Sequence, residues 1–306
     1  MISIIVPARS QRQETRDCLD SILTSVRLLN LEDACEYILL DDNSDPSHDL
    51  VGLFKTFRQA TARPVRIVRF KERQHYSRIF AQGLSRATGQ NVFFISNDMV
   101  VTPWWMRTLL AVAALDPTFG VIRGTAEYVD SHPEHQFVPP FEARSRQDWF
   151  DFSQMMSQSL GLAHSVDGIL SGDAVLIRRP LLDKIGVVDR RFPSYFGDLD
   201  FGLRAQRAGF KLVCAKGAWL RHHGAGYIRA EVAARSTTLE AIMPERMAAV
   251  QEAYARFREK WDLSMPERYP GGTGSFDFAK LRATTKPKGF DHSPPLPDDP
   301  AIAENL

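Results

Sequence analysis

Ser96-Asn97-Asp98 ends an apolar run, Val92-Phe93-Phe94-Ile95, and is followed by Thr102-Pro103. The run predicts a buried strand. The polar triplet falls where a strand of a parallel sheet delivers its carboxyl end, the edge at which open α/β sheets bind ligands. Thr102 suits a helix N-cap and Pro103 a first helical position, so Asp98 is expected to sit between two rigid elements. Pro7-Ala8-Arg9 and Asp41-Asp42 follow apolar runs in the same way. A carboxylate at Asp41 or Asp42 could accept a hydrogen bond from a base or a ribose, and Arg9 could face a base or a phosphate. In a parallel sheet these ends and Asn97-Asp98 share one edge. Each alone also reads as a solvated loop, because Asn and Asp are common turn residues. Their coincidence is what argues for a site.

The second half carries further candidates. Gly172 could admit close backbone approach of a ligand, and the carboxylate of Asp173 beside it could bind a hydroxyl-rich substrate. Asp198 and Asp200 fall in the first turn of a predicted helix running through Ala208 to Gly209. A helix N-terminus stabilises such charges and lowers their pKa. Capping accounts comfortably for one of the two carboxylates and less well for both. His222-His223, after a short apolar strand, could ligate a metal. Residues 125–166 lose periodicity and hold Phe137, Phe141, Trp149, Phe150 and Phe152, with helical stretches expected only after Phe141. Long irregular segments in compact domains are often functional. Sugar rings stack on aromatic side chains, so the Trp149 region is the expected acceptor site; plain packing of the insertion on the core is the alternative.

Several elements must hold these groups. Apolar runs at Ile2–Val6, Tyr37–Leu40, Val65–Phe70 and Val92–Ile95 alternate with helical patterns from Gln11, from about Ser47 and over Tyr76–Ala87. That alternation predicts an α/β fold with a doubly wound, mostly parallel sheet through residue 115. Pro7 is expected to end the first strand. No G-x-G-x-x-G follows that strand, so a dinucleotide fold is not favoured. Further strands are expected at Phe119–Ile122, Gly168–Ile177 and Lys211–Cys214. Glu240–Trp261 reads as a helix that either packs on the domain or mediates self-association. From Pro266 the chain is rich in Pro, Gly and Asp, which predicts an extended or disordered tail or an arm on a neighbouring copy.

The 306 residues are 44% hydrophobic and 25% charged, with net charge +1. This balance gives no reason to expect a nucleic-acid partner. No apolar run approaches the ~18 residues of a membrane span. The chain enters a strand at Ile2, so no leader peptide is expected. Cys18, Cys35 and Cys214 show neither disulfide nor zinc spacing. A cytoplasmic location is expected, at most peripheral to the inner face of a membrane.

Over roughly residues 1–230 the chain resembles the nucleotide-sugar glycosyltransferases of family 2, of GT-A fold, in their rhamnosyltransferase-like branch. SIIVPARSQRQETRDCLDSIL is similar to the family's opening strand and helix, and YILLDDNSDP to its base-binding aspartate segment. FFISNDMVVTPWWM resembles its metal-binding Asp-x-Asp region. LSGDAVLIRRPLLDKIGVVDRRFPSYFGDLDFGLRAQRAGF resembles its acceptor and catalytic-base segment, and WLRHHGAG its late histidine motif. The resemblance implies a nucleotide-binding half (1–115), an acceptor and catalytic half (116–230), a helical extension (231–265) and a tail (266–306). It implies that Asp41 or Asp42, with Pro7, Ala8, Arg9 and Asn97, binds the nucleotide of a UDP- or dTDP-sugar. Asp98, with His222 or failing that His223, would hold Mg²⁺ or Mn²⁺ at the diphosphate. Asp198 would be the general base of an inverting transfer. Gly172, Asp173, Asp200 and Trp149 would face a carbohydrate or glycolipid acceptor.

The sequence also departs from the family. Ser96 stands where the first acid of Asp-x-Asp often is, although the rhamnosyltransferase-like branch has Asn-Asp forms there. Gly197 replaces the acid that usually precedes the base, and Ala81 an asparagine. These departures keep a non-catalytic sugar-nucleotide-binding scaffold as the alternative. A nucleotidyltransferase is disfavoured, because Pro7–Gln13 contains no glycine for a phosphate loop.

Overall fold

The computed structural model describes residues 1–129, 132–170, 172–224, 231–232, 237–286, 290–292 and 302–304. Strands β1 (Ile2–Ala8), β2 (Cys35–Asp41), β3 (Val65–Phe70) and β4 (Asn91–Ile95) pair in parallel in the order β3-β2-β1-β4. Helices α1 (Arg12–Leu28), α2 (Leu50–Ala60) and α3 (His75–Arg86) make the crossovers. Side chains alternate across each strand. Ile4 and Val6 therefore pack with Leu19, Ile22 and Phe54 on one face, and Ile5 packs with Phe80 and Leu84 on the other. Burial on both faces is why these strands are continuously apolar.

Pro7 does not end β1. The strand continues to Ala8, paired with Asp41, and β4 pairs only as far as Ile5 with Phe94. The Ala8 carbonyl points to β2, where it accepts from Asp42 N–H. The Pro7 nitrogen therefore faces the side where the ladder has already stopped, and no hydrogen bond is lost.

The second half is mixed rather than parallel. β8 (Ala174–Arg178) runs antiparallel between β4 and β6 (Phe119–Ala126), and β9 (Lys211–His222) runs parallel to β6. The strand expected from Gly168 begins only at Ala174, and Lys211–Cys214 is the first part of a longer strand. β5 (Met99–Val100) pairs with the end of β9, β7 (His164–Asp167) with its start, and β10 (Ile302–Glu304) with the outer edge of β3. Helices α4 (Pro103–Ala113), α6 (Arg179–Ile185) and α7 (Gly197–Arg207) complete the layers.

The helical stretch expected after Phe141 is α5 (Arg146–Leu160), opened by a capping box between Ser145 and Asp148. Phe152 and Met156 pack it on Trp219 of β9. Helix α8 (Leu239–Trp261) packs Tyr254, Phe257 and Trp261 on Phe196, Leu199 and Leu203 around α7. Part of the proline-rich tail joins them: Phe276 is buried, and Leu281 lies on the short helix α9 (Phe278–Ala283). Among the described residues no helix is long and apolar enough to cross a membrane.

Candidate active site

Asp98 and His222 are 124 positions apart and meet because β5 pairs Met99 with His222. The His223 N–H donates to the Asp98 carbonyl (3.1 Å), closing the ribbon. The Asp98 carboxylate lies 3.4 Å from His222 Nε2, and His222 Nδ1 lies 2.9 Å from the Tyr128 carbonyl. A carbonyl can only accept, so Nδ1 carries a proton. That leaves Nε2 turned to Asp98, the orientation in which histidine ligates metals. Burial lowers the His222 pKa, but the hydrogen bond and charge of Asp98 outweigh it and the net shift is upward. Asn97 does not point freely from this turn: its amide donates to Thr15 on α1 at 2.8 Å. Ser96 N–H donates to the Asp173 carbonyl (2.9 Å), bringing the loop before β8 against the same turn.

Asp198 opens α7 across the cleft. Its carboxylate accepts from Leu199 N–H (2.9 Å). The residue is half-buried. Burial pushes its pKa up to about 6, against the lowering effect of Leu199 N–H and with a further push from the charge of Asp173. Gly172 lies against this carboxylate. A Cβ there would lie 2.6 Å from the Tyr76 hydroxyl and 3.5 Å from Asp198 Cβ, and its backbone bonds Asp198. Tyr76 lies within the influence of Asp173, Asp198, Arg123 and Asp98 together. A narrow cleft holds Asp173 and His222 with Met99, Tyr128 and Arg123.

Two expected site residues, Asp200 and Asp41, are placed differently. Asp200 does not face the cleft. It is fully buried beneath α7, bonded to Arg204 Nε (2.8 Å), Trp261 Nε1 (3.0 Å) and Lys260 Nζ (2.5 Å), because a residue two positions on along a helix lies on another face. Asp41 is withdrawn from the sheet edge: it is fully buried, and its two oxygens accept from Arg69 Nη1 and Ser44 N–H, both at 2.9 Å. Asp42 is the member of that pair beside Arg9. Burial raises its pKa against the opposing effects of Gln74 N–H, Arg9 and Arg73. Pro7 and Ala8 are buried strand residues, so only their backbone edge is presented. Trp149 is half-buried on α5, edge-on to His223 (centroids 6.4 Å apart) and under the Arg221 guanidinium. It therefore borders the Asp98–His222 pair, while Phe150 and Phe152 are buried in packing.

The departures from the family pattern also gain a physical reading. A side chain at Gly197 would press into α3, with Ser77 Oγ 2.3 Å and Ser77 Cβ 2.5 Å from its Cβ. Ser77 thus occupies the room an acid would need. Residues missed in the sequence are Arg123 and Tyr76. A lone arginine inside an apolar strand was the available signal for the first.

Away from the cleft, His132, His135 and Asp167 place one donor atom each within 4.8 Å of the others. His135 Nε2 lies 2.9 Å from Asp167, and Lys216 Nζ lies 2.9 Å from His135 Nδ1. An ammonium donates to Nδ1 only when Nε2 carries the ring proton. A cation at this cluster would therefore have to displace Lys216.

The family model for glycosyl transferase family 2 matches residues 3–186. Among curated proteins, the O-antigen biosynthesis protein RfbC of Myxococcus xanthus is 25% identical over 242 residues, 75% of this chain but 18% of that protein. The uncharacterized protein y4gI of Sinorhizobium fredii is 23% identical over 229 residues, 73% of this chain and 24% of its own. The chain thus spans about a fifth to a quarter of these relatives. Among solved structures, the mannosyltransferase PcManGT of Pyrobaculum calidifontis, in complex with GDP-Man and Mn²⁺, aligns with TM-score 0.52 and 14% identity over 84% of this chain and 64% of its own. GalNAc-T7 with UDP, GalNAc and Mn²⁺ aligns with TM-score 0.56 and 15% identity over 72% and 43%. These likenesses carry the fold, which is GT-A. With the family model covering well over half of its length, the chain belongs to glycosyltransferase family 2.

Proposed function

We propose that this chain is an inverting glycosyltransferase moving a sugar from a nucleoside-diphosphate donor to a hydroxyl of a carbohydrate or glycolipid acceptor. The observation that carries it is the grouping of Asp98 3.4 Å from His222, Asp173 in the same cleft as His222, and the raised-pKa Asp198 against Gly172 and Asp173. Asp98 and His222 would hold Mg²⁺ or Mn²⁺. The donor set fits: an oxygen and an imidazole nitrogen 3.4 Å apart, with the histidine oriented through its other nitrogen. When bound, the cation neutralises charge on the leaving diphosphate, a Lewis-acid effect of several kcal/mol.

Asp198 takes the proton of the acceptor hydroxyl while that oxygen bonds to the anomeric carbon and the bond to the diphosphate breaks. A base with a pKa about 6 is largely ionised at neutral pH and still basic enough to accept the proton. Asp42 and Arg9 would face the base or ribose, and Trp149 would border the acceptor. A cytoplasmic setting, peripheral to a membrane when the acceptor is a lipid, and self-association through the tail remain part of this reading. PcManGT holds GDP-Man with Mn²⁺ and GalNAc-T7 holds UDP with Mn²⁺, which supports a metal-assisted nucleotide site.

The test is calorimetric titration of UDP-, dTDP- and GDP-sugars with and without Mn²⁺, comparing the wild type with Asp98→Ala. Metal-dependent binding lost in the variant is expected. A folded wild type that binds none of them would remove the donor reading.

A further inference from the structure

Arg123 is a buried cation short of hydrogen-bond partners among the described residues. It sits in the middle of β6, between Val175 of β8 and Cys214 of β9, and is only 7% exposed. Its Nε and Nη1 have no hydrogen-bond partner among the described residues. Arg204 shows what the fold does with a guanidinium it keeps inside. There Nε bonds Asp200, Nη1 the Ile185 carbonyl and Nη2 the Val187 carbonyl, each at 2.8 Å. Leaving buried donors unmade is costly, more so when they are charged. A structural role does not account for a guanidinium held in this way.

The backbone is irregular at the same place. Arg123 pairs with Cys214, but Thr125 pairs with Trp219, so β9 makes an excursion over Ala215–Ala218. Gly124 permits it, since a Cβ there would lie 2.2 Å from the Ala218 carbonyl oxygen. Such irregularities re-aim side chains beside sites. The cleft that Arg123 lines also holds Asp173 and His222, and its charge reaches Tyr76 together with those of Asp98 and Asp198. A set of carboxylates alone would repel an anionic donor.

We propose that Arg123 binds an oxyanion of the nucleotide sugar in the cleft between the Asp98–His222 pair and Asp173. The inference rests on the donor reading above. The planar fork of a guanidinium matches the paired oxygens of a phosphate or a carboxylate. The oxyanion is therefore either a diphosphate oxygen or the carboxylate of a hexuronate being transferred.

Calorimetry at saturating Mn²⁺ would compare wild type, Arg123→Met and Arg123→Lys with UDP, dTDP and GDP, and with UDP-glucose and UDP-glucuronate. Arg123→Met is expected to weaken binding about 10- to 100-fold, the worth of a hydrogen bond to a charged group. Its apo melting temperature should hold or rise, because an unsatisfied buried charge has been removed. A loss already present with a bare diphosphate supports the phosphate source, and a loss confined to UDP-glucuronate supports the carboxylate. Unchanged affinities in a wild type that binds overturn the inference and leave the donor reading standing. A wild type that binds none overturns both. If Arg123→Met melts markedly lower, Arg123→Lys decides. Wild-type stability with weakened binding supports the fork, and wild-type affinity overturns it.

Discussion

Helix α7 carries Asp198 and Asp200 into two regions that treat charge in opposite ways. Beneath the helix, against α8, the buried charges of Asp200, Arg204, Lys260 and Asp189 are paired. Asp200 meets Arg204, Lys260 and Trp261, and Lys260 also reaches Asp189 at 2.9 Å. Burial would raise the Asp189 pKa, but Arg191 and Lys260 outweigh it and hold the carboxyl well below its usual range. On the cleft side Asp198 has backbone donors and a like-charged neighbour, Asp173, and its pKa goes up. The first region uses ion pairs to fix the seat of α8. The second keeps a carboxylate destabilised in its charged form, which is the state a general base needs. Perturbation against stability is therefore what separates two aspartates two positions apart.

The largest expected effect is on turnover. Asp198→Asn should lower kcat by about 10²- to 10⁴-fold, with the nucleotide affinity kept. In the wild type the rate should fall as pH drops through about 6, because the protonated carboxyl cannot accept the acceptor's proton. The linkage to stability has a definite sign. The folded pKa lies above the ordinary 3.8, so between pH 4 and 6 the folded state holds a proton that the unfolded state has released. Stability falls as pH rises through that window. Asp198→Asn removes this loss, so above pH 6 its apo melting temperature should match or exceed that of the wild type. A variant that is inactive and also melts much lower would erase the contrast between the two regions.

Asp200→Asn should do the reverse. It strips the partner from Arg204 and Lys260 inside the protein, a change of about 3–5 kcal/mol in unfolding free energy. Urea denaturation reads this directly. The folded fraction should keep its nucleotide affinity. A change below about 1 kcal/mol would mean that the α7–α8 region is not held by its ion pairs.

The first half of the fold was legible because its strands are buried on both faces and end abruptly in polar residues, as Ile95-Ser96 and Leu40-Asp41 do. The turn bearing Asp98 could be placed, but its meeting with His222 depends on a two-residue strand too short to show a period. Asp41 and Asp42 could not be told apart until Arg69 of the neighbouring strand claimed the first. Asp200 was assigned to the cleft because its fate is set by Lys260 and Trp261, some sixty positions later. Helical character after Phe141 was legible, but the start of α5 is set by Ser145-x-x-Asp148, a signal the surrounding prolines and aromatics obscured.

The smallest effect lies where the two regions join. Gly197 precedes Asp198, and a Cβ there would meet Ser77 Oγ at 2.3 Å, Ser77 Cβ at 2.5 Å and Val188 Cγ1 at 3.1 Å. Overpacking of this kind costs about 1–3 kcal/mol. Gly197→Ala should therefore lower stability by that amount and shift Asp198, so kcat should fall with it. The obstacle is Ser77, whose hydroxyl has no hydrogen-bond partner among the described residues. Ser77→Gly loses no bond of its own and should cost about 1 kcal/mol as a helical glycine. In the double variant the steric term vanishes, so the pair should be more stable than the sum of the single changes predicts. A double-mutant cycle that closes additively would show that Ser77 is not what keeps an acid out of position 197. Coupling would mean that the family's missing acid reflects how closely α3 packs on the start of α7, leaving Asp198 to act as the base without a neighbouring acid at 197.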